Sequence, residues 1–359
     1  MTRLHRSPVA AAAAIACFGL AAATAFADAQ AAGDTSPAVV RSGDYEIELP
    51  RGLGPDGAYI PEDNPLSAAK VELGKLLYFD PRLSRDNTVS CASCHNPYHG
   101  FADPAPTSKG VGGALGTRNS PTVINRLFSK EQFWDGRAAD LEEQAKGPVT
   151  NPVEMSMPDH DAAVRTINHV RGYRPYFIQA FGDKDVTIDR VADAIASYER
   201  TVLAGDSPYD RYLAGQADAL SASAVRGMGL FLGKGRCITC HVGQNFADEK
   251  YHNLGVGMDA AEPDLGRFVV TGVEADKGAF KTPTLRNVAE TAPYMHDGSE
   301  RTLRDVMVLY NAGGTKNPWL SPLMQPLGLS EQEIDDLVAF MHALTGTVTN
   351  ADPPESLPR

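Results

Sequence analysis

With 359 residues and 45 acidic against 33 basic side chains, the chain carries a formal net charge of −12. That balance argues against nucleic acid or anionic lipid as a partner. The length exceeds what one hydrophobic core comfortably fills, so two domains are expected.

Residues 1–27 hold Arg3 and Arg6, an apolar run from Val9 to Ala23 that includes Cys17, and Ala25-Phe26-Ala27, the pattern of a cleaved secretory signal peptide. The run is Ala-rich and short of the roughly 20 strongly apolar residues that span a bilayer, so no membrane-spanning segment is expected after cleavage. Cleavage also removes Cys17, and every remaining cysteine then belongs to a motif described below. No thiol is left for a disulfide or a nucleophile.

Residues 28–66 form an extension rich in Ala, Gly and Pro, with one alternating stretch at 44–49, expected to wrap the first domain. The first domain is expected over 67–206. Ser67 is placed to cap a helix through Val71, Leu73, Leu76 and Leu77 to Phe79, ended by Asp80-Pro81. Cys91-Ala92-Ser93-Cys94-His95 follows, and Cys237-Ile238-Thr239-Cys240-His241 repeats its pattern far downstream. Two thiols at this spacing on a turn can both reach the vinyl groups of a haem, and the next residue, His95 or His241, then ligates the iron. A zinc site is the competing reading, but its Cys pairs usually sit roughly 15–20 residues apart and need no His after each. Two covalently attached haem c groups are therefore expected. Haem attachment to this motif takes place outside the bacterial cytoplasm, which agrees with export to the periplasm.

From His95 to Asn125 the chain is rich in Gly and Pro, with Gly110-Val111-Gly112-Gly113 at its middle, and reads as a long functional loop. Helical patterns occupy 161–181 and 187–203, and Gly205-Asp206-Ser207-Pro208 marks the domain boundary. The second domain, expected over 207–349, opens with a Ser221-capped helix through Val225, Met228, Leu230 and Phe231. It closes with a helix whose Ser330 and Glu333 form a capping box, whose apolar stripe runs from Ile334 to Leu344, and which Gly346 ends. Residues 350–359 make a C-terminal tail. Strand signals are few, and beyond the two motif-bearing halves no short internal repeat is evident. The fold class is mostly α, as two cytochrome c-like domains with one haem each.

Between the two motifs stand Phe133-Trp134-Asp135-Gly136-Arg137, Glu143-Gln144-Ala145, Gly147-Pro148 and Val153-Glu154-Met155. After the second come Lys281-Thr282-Pro283-Thr284-Leu285-Arg286-Asn287 and Ala292-Pro293-Tyr294-Met295-His296-Asp297-Gly298. In this order, over roughly residues 65–346, the chain resembles the bacterial di-haem cytochrome c peroxidase family, which includes MauG. The resemblance implies that peroxide reacts at the first haem, beside a Glu, a Gln and a Pro that fall on Glu154, Gln144 and Pro148. A carboxylate beside an open iron position can take a proton from peroxide and return it to the leaving oxygen, while an amide orients the bound oxygen. Trp134 resembles the family Trp between the haems, suited to electron or hole transfer as well as to packing. The family also holds a calcium ion through an Asn side chain and two carbonyls, falling on Asn119, Thr291 and Pro293.

Two departures set the expected subtype. Val111 stands where the peroxidases that need reductive activation carry a loop His, so the first haem is expected to be open as isolated, with His160 and His169 as substitutes. Tyr310, counted from His296, takes the place of their distal Met at the second haem and matches the Tyr of MauG. A phenolate favours ferric and higher states where a thioether favours ferrous iron. Met307, Met324 and Met295 are the other candidate ligands. Gly235 stands where MauG carries a surface Trp that relays holes to its protein substrate. The resemblance thus implies a periplasmic, MauG-like enzyme that uses hydrogen peroxide to form a high-valent di-haem state and oxidises an external donor, a residue on a partner protein. The alternative is a cytochrome-c peroxidase that removes peroxide with electrons from a small cytochrome c or cupredoxin. A simple electron carrier does not account for Glu154 and Gln144 beside an open iron.

Overall fold

The structure is a computed structural model that describes residues 37–43 and 45–359. The expected signal peptide lies outside the described residues.

Helix starts follow their capping side chains. Ser67 Oγ accepts the Lys70 amide at 3.2 Å and opens α1 (Ala68–Tyr78). The first motif is itself one helical turn, α2 (Cys91–Cys94), and Asp140 opens α3 (Leu141–Thr150) by accepting the Glu143 amide at 2.8 Å. The pattern at 161–181 is not one helix: it divides into α4 (His160–His169) and α5 (Arg174–Phe181). The break has a local and a tertiary cause: Pro175, without an amide hydrogen, sits in the first turn of α5 and cannot continue the preceding helix. The Gly172 amide donates to the Arg359 carbonyl at 2.7 Å, and a Cβ at Gly172 would lie 2.5 Å from that oxygen, so the C-terminal segment is seated on the backbone there. Thr187 caps α6 (Ile188–Glu199), which stops four residues before Leu203.

The second half contributes α7 (Pro208–Leu213), α8 (Ala222–Leu232) capped by Ser221, α9 (Phe268–Thr271), α10 (Leu303–Ala312) and α11 (Glu331–His342). The expected box at α11 is formed: the Glu333 amide donates to Ser330 Oγ at 3.3 Å, and the Ser330 amide donates to Glu333 Oε2 at 2.8 Å. Gly346 does not end this helix. Ala343 does, and Gly346 instead allows close approach to the Gly205 carbonyl, 2.0 Å from where its Cβ would be. Among the described residues the strands form three two-stranded antiparallel ribbons. They pair β1 (Val39–Ser42) with β2 (Tyr45–Glu48), β3 (Ala204–Gly205) with β6 (Thr347–Val348), and β4 (Tyr251–His252) with β5 (Phe280–Lys281).

Each half has its own buried cluster. Leu73, Leu77, Tyr78, Phe101, Ile195 and Tyr198 anchor the first, and Phe231, Leu285, Met307, Leu337 and Phe340 anchor the second. In each, a helix pair touches backbone to backbone at a glycine. A Cβ at Gly74 of α1 would lie 1.8 Å from the Ala194 carbonyl of α6, and one at Gly227 of α8 would lie 1.9 Å from the Asp336 carbonyl of α11. The segment 38–66 packs Val40, Ile47, Leu49 and Leu66 on Leu127, Phe128 and Leu203. It also reaches the second half, where Gln244 Nε2 donates to the Gly54 and Asp56 carbonyls at 3.0 and 2.7 Å.

An internal repeat appears in the backbone. Asn125 and Asn287 both take the left-handed conformation and both start a short 3-10 turn. Downstream, Phe133 and Met295 share a positive φ of 68° and 71°, Gly136 and Gly298 one of 67°. The bridges Gln132 to Ala138 and Tyr294 to Glu300 close both turns. Trp134 and His296 therefore occupy equivalent positions in the two halves. Their side chains differ, but Pro121-Thr122, Asn125 and Asp135-Gly136 recur as Pro283-Thr284, Asn287 and Asp297-Gly298, so the repeat lies in scattered identities and not in a continuous motif.

Candidate active site

The first motif opens on a cavity of about 820 Å³, within the roughly 300–1,000 Å³ typical of ligand sites. Cys91, Cys94 and His95 line it together with Trp134, Gln144, Pro148 and Glu154, so the structure brings the expected catalytic set to one place. Gln144 and Pro148 are four residues apart on α3 and so share a face. Pro148 has no amide hydrogen for the Gln144 carbonyl and lies where the helix runs out, and the turn beyond it presents Glu154. Backbone contacts hold that turn. The Val111 amide donates to the Glu154 carbonyl at 2.8 Å, and Gly110 comes so close that a Cβ would lie 2.5 Å from the same oxygen. Burial pushes the Glu154 carboxyl above its ordinary value, with the Arg137 guanidinium and the Asn151 amide acting against that rise.

Val111 packs in the first core cluster, and of the described histidines lining this cavity there is one, His95. His99, His160 and His169 do not reach it; His160 Nε2 instead bonds the Lys146 carbonyl at 3.1 Å.

A second, narrower cavity of about 190 Å³ is lined by Cys237, Cys240, His241 and Tyr310, and also by Met295, Met307 and Met324. Position alone does not choose among the four distal candidates. Tyr310 sits in the last turn of α10, and burial pushes its phenol upward. Gly235 is buried, and a Cβ there would lie 2.9 Å from the Leu230 carbonyl and 3.3 Å from Cys237 Sγ. This backbone presents no aromatic side chain at that position.

The two histidines are held alike. His95 Nδ1 bonds the Pro121 carbonyl at 2.9 Å and His241 Nδ1 bonds the Phe246 carbonyl at 2.8 Å. A carbonyl partner fixes the proton on Nδ1 and leaves Nε2 free as a ligand, the arrangement expected around a metal-bound imidazole. Burial lowers both imidazoles and so favours the neutral, ligating form. The residues present thus fit covalent haem at both motifs.

Trp134 lines both cavities, as do Asn119, Pro121, Lys281 and Pro283. Its Nε1–H donates to the Asn119 carbonyl at 2.8 Å, and the Asn119 amide donates to the carbonyl of His296, the equivalent of Trp134, at 2.7 Å. Asn119, Thr291 and Pro293 all line the second cavity. Among the described residues, none donates a hydrogen bond to Asn119 Oδ1 or to the Thr291 and Pro293 carbonyls.

Several groups at the site have no motif to announce them. Arg118 joins Asp264 at 2.6 Å and Asp135 at 2.6 Å, tying the loop before Trp134 to the second half. Glu199 lines the first cavity and is pushed up to about 8 by burial, against the pull of Arg126 and Arg200. A signal for it exists: Glu199 continues the buried stripe of Val191 and Ile195 at helical spacing, where an apolar residue belongs. Cys240, Asp248 and His252 cluster within 4.8 Å in the manner of a metal site. Cys240 is an attachment cysteine, and a thioether has neither charge nor proton to offer. The bonds to Cys240 and then to Asp248 that raise His252 to about 9 are accordingly reduced to the Asp248 pair once haem is attached.

Residues 68–218 match the family model of di-haem cytochrome c peroxidases and residues 224–345 that of cytochrome c. Over 81% of this chain and 82% of the relative, the sequence is 43% identical to the methylamine utilization protein MauG of Methylorubrum extorquens. It is 42% identical to cytochrome c551 peroxidase of Pseudomonas aeruginosa, over 79% of this chain and 80% of the relative. A MauG-like protein associated with microbial copper homeostasis superposes with a TM-score of 0.76 at 33% identity, covering 83% of this chain and 95% of that one. Among the described residues no helix is long and apolar enough to cross a membrane.

Proposed function

The chain belongs to the di-haem cytochrome c peroxidase family and is a haem peroxidase with two covalent haem c groups, and we propose that it acts in the MauG-like manner. In this reading it reacts with hydrogen peroxide without prior reduction and draws electrons from a residue on a partner protein. The observation that carries the reading is the first cavity itself: Glu154, Gln144 and Pro148 line it, and His95 is its one described histidine. Haem held there by Cys91, Cys94 and His95 would supply the iron at which peroxide reacts. Glu154, raised by burial, takes a peroxide proton and returns it to the leaving oxygen, and the Gln144 amide orients the oxygen pair. Trp134, oxidisable and set in the shared wall, couples the two sites, and its bond to the Asn119 carbonyl fixes the ring. Tyr310 serves the second site as a phenolate.

A second reading, peroxide removal with electrons from a small cytochrome c or cupredoxin, draws on Met295, Met307 and Met324, any of which would give the second site a thioether instead. We place calcium at Asn119 Oδ1 and the Thr291 and Pro293 carbonyls. Three unengaged hard oxygens suit that ion in kind, and they are part of the six to eight it usually takes. Export to the periplasm belongs to the same proposal, from the N-terminal pattern and the haem-attachment chemistry.

The coupling is tested by Trp134→Phe, which keeps an aromatic ring in the wall and removes the oxidisable indole. Both haems and the fold are retained, and the spectral change at the second haem after rapid mixing with peroxide is slowed. An unchanged rate contradicts the role given to Trp134.

A further inference from the structure

The chain has two tryptophans. Trp134 is in the wall between the cavities, and Trp319 is partly exposed two residues before Ser321 in the lining of the second. Ser321, Leu323 and Met324, which follow Trp319 closely, line that cavity together with His241 and Tyr310. The segment is fastened to the wall: the Trp319 amide donates to Asn317 Oδ1 at 3.0 Å, and Asn317 Nδ2 donates to Asn253 Oδ1 at 3.1 Å. Asn253 in turn donates to the Lys277 carbonyl at 2.6 Å, and Leu254 and Gly278, the neighbours of these two, line the cavity.

The indole has an environment that suits one particular reaction. Its Nε1–H donates to the Glu274 carboxylate at 3.0 Å. The Lys277 ammonium lies 4.7 Å from the ring centroid and pairs with the same carboxylate at 2.9 Å. Removing an electron from indole leaves a cation whose N–H is strongly acidic. A fixed ammonium beside the ring opposes a second positive charge there, while a carboxylate already on the N–H can accept its proton. The neutral radical is the species this site accommodates.

We propose that Trp319 is the outlet through which oxidising equivalents leave the second haem site for an external donor, with Glu274 as the positioning residue that receives the indole proton. The inference rests on the peroxide reaction proposed above, whose oxidising equivalents it uses. One electron passes from the indole to the peroxide-oxidised di-haem unit, which is reduced by one, and the Nε1 proton passes to Glu274. The donor then returns one electron to the ring, and Glu274 returns the proton.

The test uses the full-length, haem-loaded protein and three variants, Trp319→Phe, Glu274→Gln and the double variant. Each is mixed with peroxide, first without a donor and then with tetramethyl-p-phenylenediamine. Glu274→Gln leaves the ring in place, so a folding defect from loss of the indole does not decide the result. In all four proteins the initial peroxide reaction proceeds at the same rate. Without donor, the wild type shows a neutral tryptophan radical by electron paramagnetic resonance and oxygenated Trp319 by peptide mass spectrometry, and Trp319→Phe shows neither. With donor, each single variant slows donor oxidation about tenfold or more, and the double variant is no slower than Trp319→Phe alone, because both remove one step. A wild type inert to peroxide sinks the underlying reading and the outlet with it. A wild type that reacts while Trp319 stays unmodified, with donor oxidation unchanged in both single variants, overturns the outlet alone.

Discussion

Glu154→Gln slows the reaction with peroxide by about 10²–10⁴-fold, the usual contribution of a positioned acid–base group, while both haems and the cavity are retained. The amide matches the carboxylate in shape and can still accept a hydrogen bond, but it cannot take up a proton and give it back. Stopped-flow spectra across pH separate this from a steric effect. In the wild type the rate falls as pH drops through the Glu154 midpoint, because only the carboxylate is a base. Burial places that midpoint above the ordinary carboxyl value, even with Arg137 and Asn151 acting to lower it. The Gln variant loses this limb of the profile altogether. A loss smaller than about threefold removes Glu154 from the catalytic set.

Tyr310→Met raises the potential of the second haem on the order of a few hundred millivolts, inside the roughly 0.8 V range that axial ligands span. Burial disfavours the Tyr310 phenolate, so that form persists only against a cationic centre in the same cavity. A thioether donates less charge and shifts the balance to ferrous iron. The site can accept it, since Met307, one turn earlier on α10, already lines the cavity. In the variant the second site is oxidised more slowly after peroxide reacts at the first, and it accepts electrons from a small cytochrome more readily. Redox titration followed optically measures the shift. An unchanged potential and spectrum show that Tyr310 is not the ligand and move attention to the three methionines.

The helix caps and the chemistry of the motifs were legible because they are local. Ser67, Ser221 and Ser330 act on amides three residues away, and the attachment cysteines act within one turn. What escaped is long-range. Pro175 marks the division of the 161–181 pattern locally, but nothing near Gly172 announces that Arg359 lies against it. The Arg118 to Asp264 pair joins segments far apart in sequence, and either residue alone reads as a solvated charge. The repeat of the two halves shares Asn125 with Asn287 and Asp135-Gly136 with Asp297-Gly298, but Phe133 and Met295 put different residue types on the same backbone shape, so the identities are too scattered to stand out as a motif. Sequence and structure both bring one Tyr and three Met to a single cavity, and the electronic properties of the metal decide among them.

The central claim is a first haem open to peroxide in the diferric protein, coupled through Trp134 to a Tyr310-bound second haem. Its most direct test is Mössbauer and optical spectroscopy of the haem-loaded resting protein before and after one equivalent of hydrogen peroxide. A high-spin ferric first haem at rest and a prompt spectral change at both irons are expected. A wholly low-spin resting protein that stays unchanged with peroxide until its second haem is reduced would contradict it.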